Sequence, residues 1–119
     1  MVVNREELRA RLGDPALTIL DVRTPVEYEG VRGYPCCGRQ GHIEGARNLD
    51  LAELLGPDGG GLSPEEIREL VGLPEGAEIV AYCHSGSRSG MAANILRGAG
   101  YDATNYVGSW HEWSHLPES

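Results

Sequence analysis

The apolar positions of this chain fall into two patterns. Residues 17–22 (LTILDV) and 78–82 (EIVAY) are short, nearly continuous apolar runs, as expected of strands buried on both faces. Between and around them lie stretches that open on helix caps. Asn4 precedes residues 5–12 (REELRARL), and Gly13 stops them. An Asn at the cap accepts from an orphan N–H, and a Gly ends a helix without steric cost. Thr24-Pro25 opens a second helix that includes Glu27 and Tyr28, and Ser63-Pro64-Glu65-Glu66 opens another that runs to about Val71. Both place a hydroxyl cap before a proline at the first helical position, and Glu66 stands where a capping box needs it. The pattern also predicts a strand at 46–49, a short helix at 51–55, a helix over 90–97 closed by Gly98 and Gly100, a last strand at 104–107, and a turn or short helix at 109–113. Residues 30–41 read as irregular and 56–61 as loop. Strands alternating with helices predict an α/β fold with a parallel sheet covered on both faces. Reactive groups in such folds lie past the carboxyl ends of strands.

Length and composition sharpen this picture. With 119 residues and 40% hydrophobic content, the chain suits one domain, residues 1–119, with an adequate core. No apolar run approaches the roughly 18 residues of a membrane span. The N-terminus carries acids where a leader peptide needs basic and then apolar residues, so the expected location is the cytoplasm. Eighteen acids against ten bases give a net charge of −8, and every base is Arg. The absence of Lys excludes a pyridoxal Schiff base and a phosphate-loop lysine, and no cofactor is expected. The acidic balance, with no Arg cluster, argues against nucleic acid as a partner. Three Cys, of which Cys36 and Cys37 are adjacent, make no disulfide framework and fit a reducing compartment.

The chemistry concentrates where the strand 78–82 runs into Cys83-His84-Ser85-Gly86-Ser87-Arg88-Ser89. Small polar residues between a strand end and a helix start can aim successive N–H groups at an anion. Arg88 adds a fork of donors. A thiol held there gains thiolate character; the alternative is a buried structural Cys beside a polar turn. The spacing is C-x4-R. Cysteine-dependent phosphatases use C-x5-R, and here that position holds Ser89. The shorter loop suits one extra atom on sulfur better than a tetrahedral oxyanion.

Four segments together resemble a rhodanese-like domain, most closely the catalytic half of tandem thiosulfate sulfurtransferases. They are DVRTPVEY at 21–28, GHIEGARN at 41–48 (with Glu44 where the family usually has Pro), CHSGSRS at 83–89, and YVGSWHEW at 106–113. The resemblance implies a three-layer α/β domain with a mostly parallel five-stranded sheet. It also implies a persulfide-forming Cys83, with the loop residues His84, Ser85, Gly86, Ser87, Arg88 and Ser89 cradling the transferred sulfur. The expected donor is a small anionic sulfur compound, thiosulfate. The acceptor is cyanide or a thiol, and the alternative is a carrier module in a relay with protein partners. A small phosphatase or arsenate reductase and a catalytically silent regulatory domain are the further readings; the short loop opposes the first and the intact Cys83 the second. Arg23 can contact substrate, or can form with Asp21 a polar network that fixes strand ends, which is the favoured reading. Glu27 and Tyr28 read as helix surface and packing. Trp110 and Trp113 read as packing, and an exposed patch around them would favour partner docking. Cys36 and Cys37 depart from the family pattern. With His42 they lack zinc-site spacing, so no metal is expected. An inserted surface loop that carries Cys36 and Cys37 as incidental thiols, a relay thiol and an oxidative partner for Cys83 stand as alternatives.

Overall fold

The computed structural model describes residues 2–57 and 59–116. Its five strands are β1 (Val2–Val3), β2 (Leu17–Asp21), β3 (Arg47–Asn48), β4 (Glu78–Tyr82) and β5 (Asp102–Tyr106). They form one sheet in the order β1-β5-β4-β2-β3, and every pairing is parallel. Six helices complete the fold: α1 (Arg5–Ala10), α2 (Pro25–Glu29), α3 (Leu51–Leu55), α4 (Pro64–Val71), α5 (Ser87–Gly98) and α6 (Ser109–Trp113).

Strand periodicity sorts the core into two layers. Side chains alternate across a strand, so Ile79 and Ala81 of β4 enter one cluster with Leu20 and Val22. That cluster is completed by Leu51 and Leu54 of α3, Ile67 and Val71 of α4, and Ala92, Ala93 and Leu96 of α5. Val80 and Tyr82 enter the other, with Ile19, Leu8 of α1, and Trp110 and Trp113 of α6. Helices therefore cover both faces, the three-layer arrangement the sequence predicts. Cys83 falls in phase with Ile79 and Ala81 and lies on the α5 side of the sheet.

Two differences from the sequence reading matter. The helix expected from residue 90 begins at Ser87, with Gly86 as its cap at φ 99°. The first helical bond, Gly90 N–H to the Gly86 carbonyl at 2.9 Å, already encloses Ser87, Arg88 and Ser89. The segment from Cys83 is thus a tight turn to Gly86 followed at once by the first turn of a helix. The second difference is β1, a two-residue strand set by pairing Val2 and Val3 with Asn105 and Tyr106; two residues show no periodicity to read.

Candidate active site

Cys83 continues from the carboxyl end of the central strand β4 and is 1% exposed. Its backbone is held from the far side of the chain. Ser109 adopts φ 55°, an uncommon left-handed conformation for a residue with a side chain. From there its hydroxyl accepts from the Cys83 N–H at 3.0 Å and donates to the Tyr106 carbonyl at 2.8 Å. The next two N–H groups, of Trp110 and His111, donate to the carbonyls of Cys83 and His84 at 2.8 and 3.0 Å. The start of α6 therefore clamps both ends of the Cys83–His84 peptide unit.

The sulfur faces the start of α5. Sγ accepts from the Gly86 N–H at 3.1 Å and from the Ser89 N–H and hydroxyl at 3.4 Å each. Burial pushes the thiol up, but the Ser89 hydroxyl and the N–H groups of Ser89, Gly86 and Ser85 outweigh it, leaving Cys83 below the ordinary thiol value. Helix polarity acts in the same direction. Gly86 is required twice over: its φ is positive, and a Cβ there would stand 2.7 Å from the Val107 carbonyl oxygen.

Each predicted site residue has a definite place. Ser85 and Ser87 are exposed, and the hydroxyl that reaches Sγ is that of Ser89. The Ser89 hydroxyl has a second acceptor, Asn105 Oδ1 at 2.6 Å, which shares its one hydrogen with Sγ, while Asn105 Nδ2 donates to the Gly86 carbonyl at 3.1 Å. His84 is half-buried, stacked on Tyr34 with ring centroids 3.9 Å apart. Burial and the neighbouring His111 and Arg88 lower its pKa, so it is a neutral aromatic surface at neutral pH rather than a fixed cation. Arg88 turns its guanidinium to Glu27, with Nη1–Oε1 and Nη2–Oε2 at 3.0 and 3.2 Å. Glu27 is correspondingly not surface. Burial alone would raise its pKa, yet Arg88 and the N–H and hydroxyl of Thr24 bring it to about 2. Glu27 thus caps α2 and orients Arg88 with the same carboxylate. The hydrophobic pattern does not distinguish it from Glu29, but its place three residues after Thr24, where a capping box needs a Glu, does; only the pairing with Arg88 has no local signal.

Arg23 lies in the polar network with Asp21, the reading favoured from the sequence, rather than at an open substrate surface. It is 1% exposed, pairs with the fully buried Asp21 at 2.7 Å, and donates to the Gly41 carbonyl at 2.5 Å. Its guanidinium lies over the faces of Trp110 and Tyr82, leaving no surface for a ligand. Trp110 and Trp113 are themselves buried, so they form no exposed docking patch. His42 is stacked on Tyr28 and hydrogen-bonded to its carbonyl, which removes it from the cysteine pair. In its stead, Cys36 and Cys37 lie beside His84 and His111, with one donor atom from each of the four within 4.8 Å of the others. A cavity of about 840 Å³ lies between α3 and α4, away from this chemistry. A smaller one of about 380 Å³, lined by Val26, Glu27, Tyr34 and neighbours, adjoins the Glu27–Arg88 pair.

A family model of the rhodanese-like domain matches residues 4–116, and the chain belongs to this family. It is 40% identical over 109 residues to the sulfur carrier protein TtuD of Thermus thermophilus, covering 82% of this chain and 38% of that protein. It is 34% identical over 120 residues to a thiosulfate sulfurtransferase of Azotobacter vinelandii, covering 98% of this chain and 44% of that one. The crystal structure of a probable thiosulfate sulfurtransferase shares its fold with a TM-score of 0.78 at 43% identity, over 95% of this chain and 44% of the other. The chain spans less than half the length of each of these relatives. No helix among the described residues is long and apolar enough to cross a membrane.

Proposed function

We propose that residues 1–119 act as one rhodanese-like domain that transfers sulfane sulfur through a persulfide on Cys83. The observation that carries this reading is a buried thiol receiving N–H groups from Gly86 and Ser89 at the start of α5. The Cys83 thiolate attacks the outer sulfur of thiosulfate; the sulfur–sulfur bond of the donor breaks, and sulfite leaves with its electron pair. Cys83 then carries –S–S⁻, whose charge is stabilised by the N–H groups of residues 84 to 88 and the dipole of α5. Cyanide in the test tube, or a thiol in the cell, attacks the terminal sulfur and returns the thiolate. This is covalent catalysis in two displacement steps. Arg88, braced by Glu27, holds the loop and draws the anionic donor. Three free cysteines fit a reducing cytoplasm.

Intact mass after brief incubation with thiosulfate tests the proposal. Wild type is expected to gain one sulfur atom and Cys83→Ser none. Sulfur retained by Cys83→Ser would overturn the assignment. The resemblance to a sulfur carrier protein supports a second reading, in which the same persulfide passes to a protein. Steady turnover with cyanide at modest thiosulfate favours the enzyme, whereas a persulfide that accumulates until a protein acceptor is added favours the carrier.

A further inference from the structure

Cys36, Cys37, His84 and His111 come from three segments distant in sequence. They meet because other contacts bring their backbones together. The turn that presents the cysteines is closed by the Cys37 N–H donating to the Tyr34 carbonyl at 3.1 Å. Just beyond, the Gly38 N–H donates to Ser114 Oγ at 2.9 Å, and the Trp110 indole donates to the Arg39 carbonyl at 3.0 Å. Gly38 permits this approach, since a Cβ there would collide with the Ser114 carbonyl. The inserted loop is therefore seated on α6, the helix that carries His111. The His111 N–H bond to the His84 carbonyl ties α6 to the active loop. Tyr34, from the inserted loop, stacks on the His84 ring. All three segments are positioned by bonds that do not involve the four donor atoms.

We propose that these four side chains form a Cys2His2 site for a thiophilic divalent cation of the zinc class. Two thiolates and two imidazoles are the donor set such ions select over oxygen ligands. With metal–sulfur bonds of about 2.3 Å and metal–nitrogen bonds of about 2.0–2.1 Å, a tetrahedral site has donor–donor edges of roughly 3.4–3.8 Å. Cys36 Sγ already lies 3.7 Å from His84 Nε2, all four donor atoms lie within 4.8 Å of one another, and Cys36 and His111 are exposed side chains. On binding, the two thiols lose two protons to solvent as the two metal–sulfur bonds form. Because His84 follows Cys83 directly, the ion ties the first residue of the active loop to both the inserted loop and α6. This inference does not depend on the sulfur-transfer reading.

The test is a titration of the reduced protein with Co²⁺, followed by competition with Zn²⁺. Wild type is expected to bind one ion per chain, with thiolate-to-cobalt charge-transfer absorption and the strong visible bands of a tetrahedral site, both erased by Zn²⁺. Cys36→Ser/Cys37→Ser is expected to lose the charge-transfer bands. His111→Asn should weaken binding by at least about 10–100-fold, the loss typical of removing a group that merely orients a ligand. Cys83→Ser is expected to bind as wild type does. Circular dichroism confirms that each variant is folded. Absence of the bands in wild type, their survival in the double cysteine variant, or their loss in Cys83→Ser would each overturn the proposal, the last by moving the ion onto the nucleophile.

Discussion

Ser89 has one hydroxyl hydrogen and two acceptors, Cys83 Sγ at 3.4 Å and Asn105 Oδ1 at 2.6 Å. While Cys83 is a thiol, the shorter bond to Asn105 holds that hydrogen, and Ser89 can itself accept the S–H. When the sulfur is anionic, the hydroxyl serves best by turning to it, since bonds to charged acceptors are the stronger ones. Ser89→Ala removes this donor but keeps the Ser89 N–H. The expected result is slower alkylation of Cys83 by iodoacetamide at neutral pH, with slower persulfide formation from thiosulfate. Equal rates in the two proteins would show that the backbone N–H groups suffice. Glu27 gives the pH dependence. Its folded pKa of about 2 lies below the ordinary 4.5, so the folded state binds fewer protons than the unfolded chain in between. The stability it contributes is present above about pH 4.5 and is lost as pH falls toward 2. Glu27→Gln keeps one acceptor for Arg88 and should cost about 1.5 kcal/mol at neutral pH. It should also flatten the acid limb of stability measured by urea melts from pH 2 to 7; parallel curves for the two proteins would assign that limb to other carboxylates.

At the scale of elements, the decisive unit is the join of β4 to α5. The sequence placed Cys83 at a strand end ahead of a helix, because EIVAY is a continuous apolar run and Gly90 to Arg97 a plain helical stretch. It could not place the helix start. Ser87, Arg88 and Ser89 read as loop by composition, and only the φ of Gly86 together with the Gly90 to Gly86 bond shows them as helix. The same limit hid Glu27, Asn105 and Ser109, whose roles come from partners distant in the chain: Arg88, Ser89 and Cys83. It also paired the cysteines with His42, their neighbour in sequence, where the fold supplies His84 and His111. Local signals, by contrast, carried through: Asn4, Thr24 and Ser63 all cap their helices, and the box expected between Ser63 and Glu66 forms, as do boxes with Glu7 and Glu27. Gly86→Ala tests the join directly. A left-handed residue with a Cβ costs about 1–2 kcal/mol, and contact with the Val107 carbonyl adds to it. The expected outcome is a lower Tm and little persulfide by intact mass. A normal Tm with normal sulfur loading would mean the turn tolerates a different geometry.

Across the whole molecule, the Asp21–Arg23 pair links parts that the sheet alone does not join. Asp21 ends β2, and its side chain accepts from the Arg23 N–H and guanidinium. Arg23 in turn reaches the Gly41 carbonyl on the segment that follows the cysteine loop, and lies between the rings of Tyr82 and Trp110. One buried ion pair thus connects the central sheet, α6 and the inserted segment, on the face opposite α5. Removing one partner strands a charge with almost no access to water, which costs about 3–5 kcal/mol, whereas replacing both by apolar groups of similar size can be nearly neutral. Asp21→Leu and Arg23→Met are therefore each expected to destabilise strongly, and the double variant by much less than their sum. Urea denaturation of the four proteins closes the cycle. A coupling of at least about 2 kcal/mol is expected, and additive losses would mean the two residues act separately. The double variant also separates scaffold from chemistry. Neither side chain touches Sγ, so if it folds it should still take up one sulfur from thiosulfate on Cys83. Loss of that uptake in a folded double variant would return Arg23 to the substrate-binding role that its burial argues against.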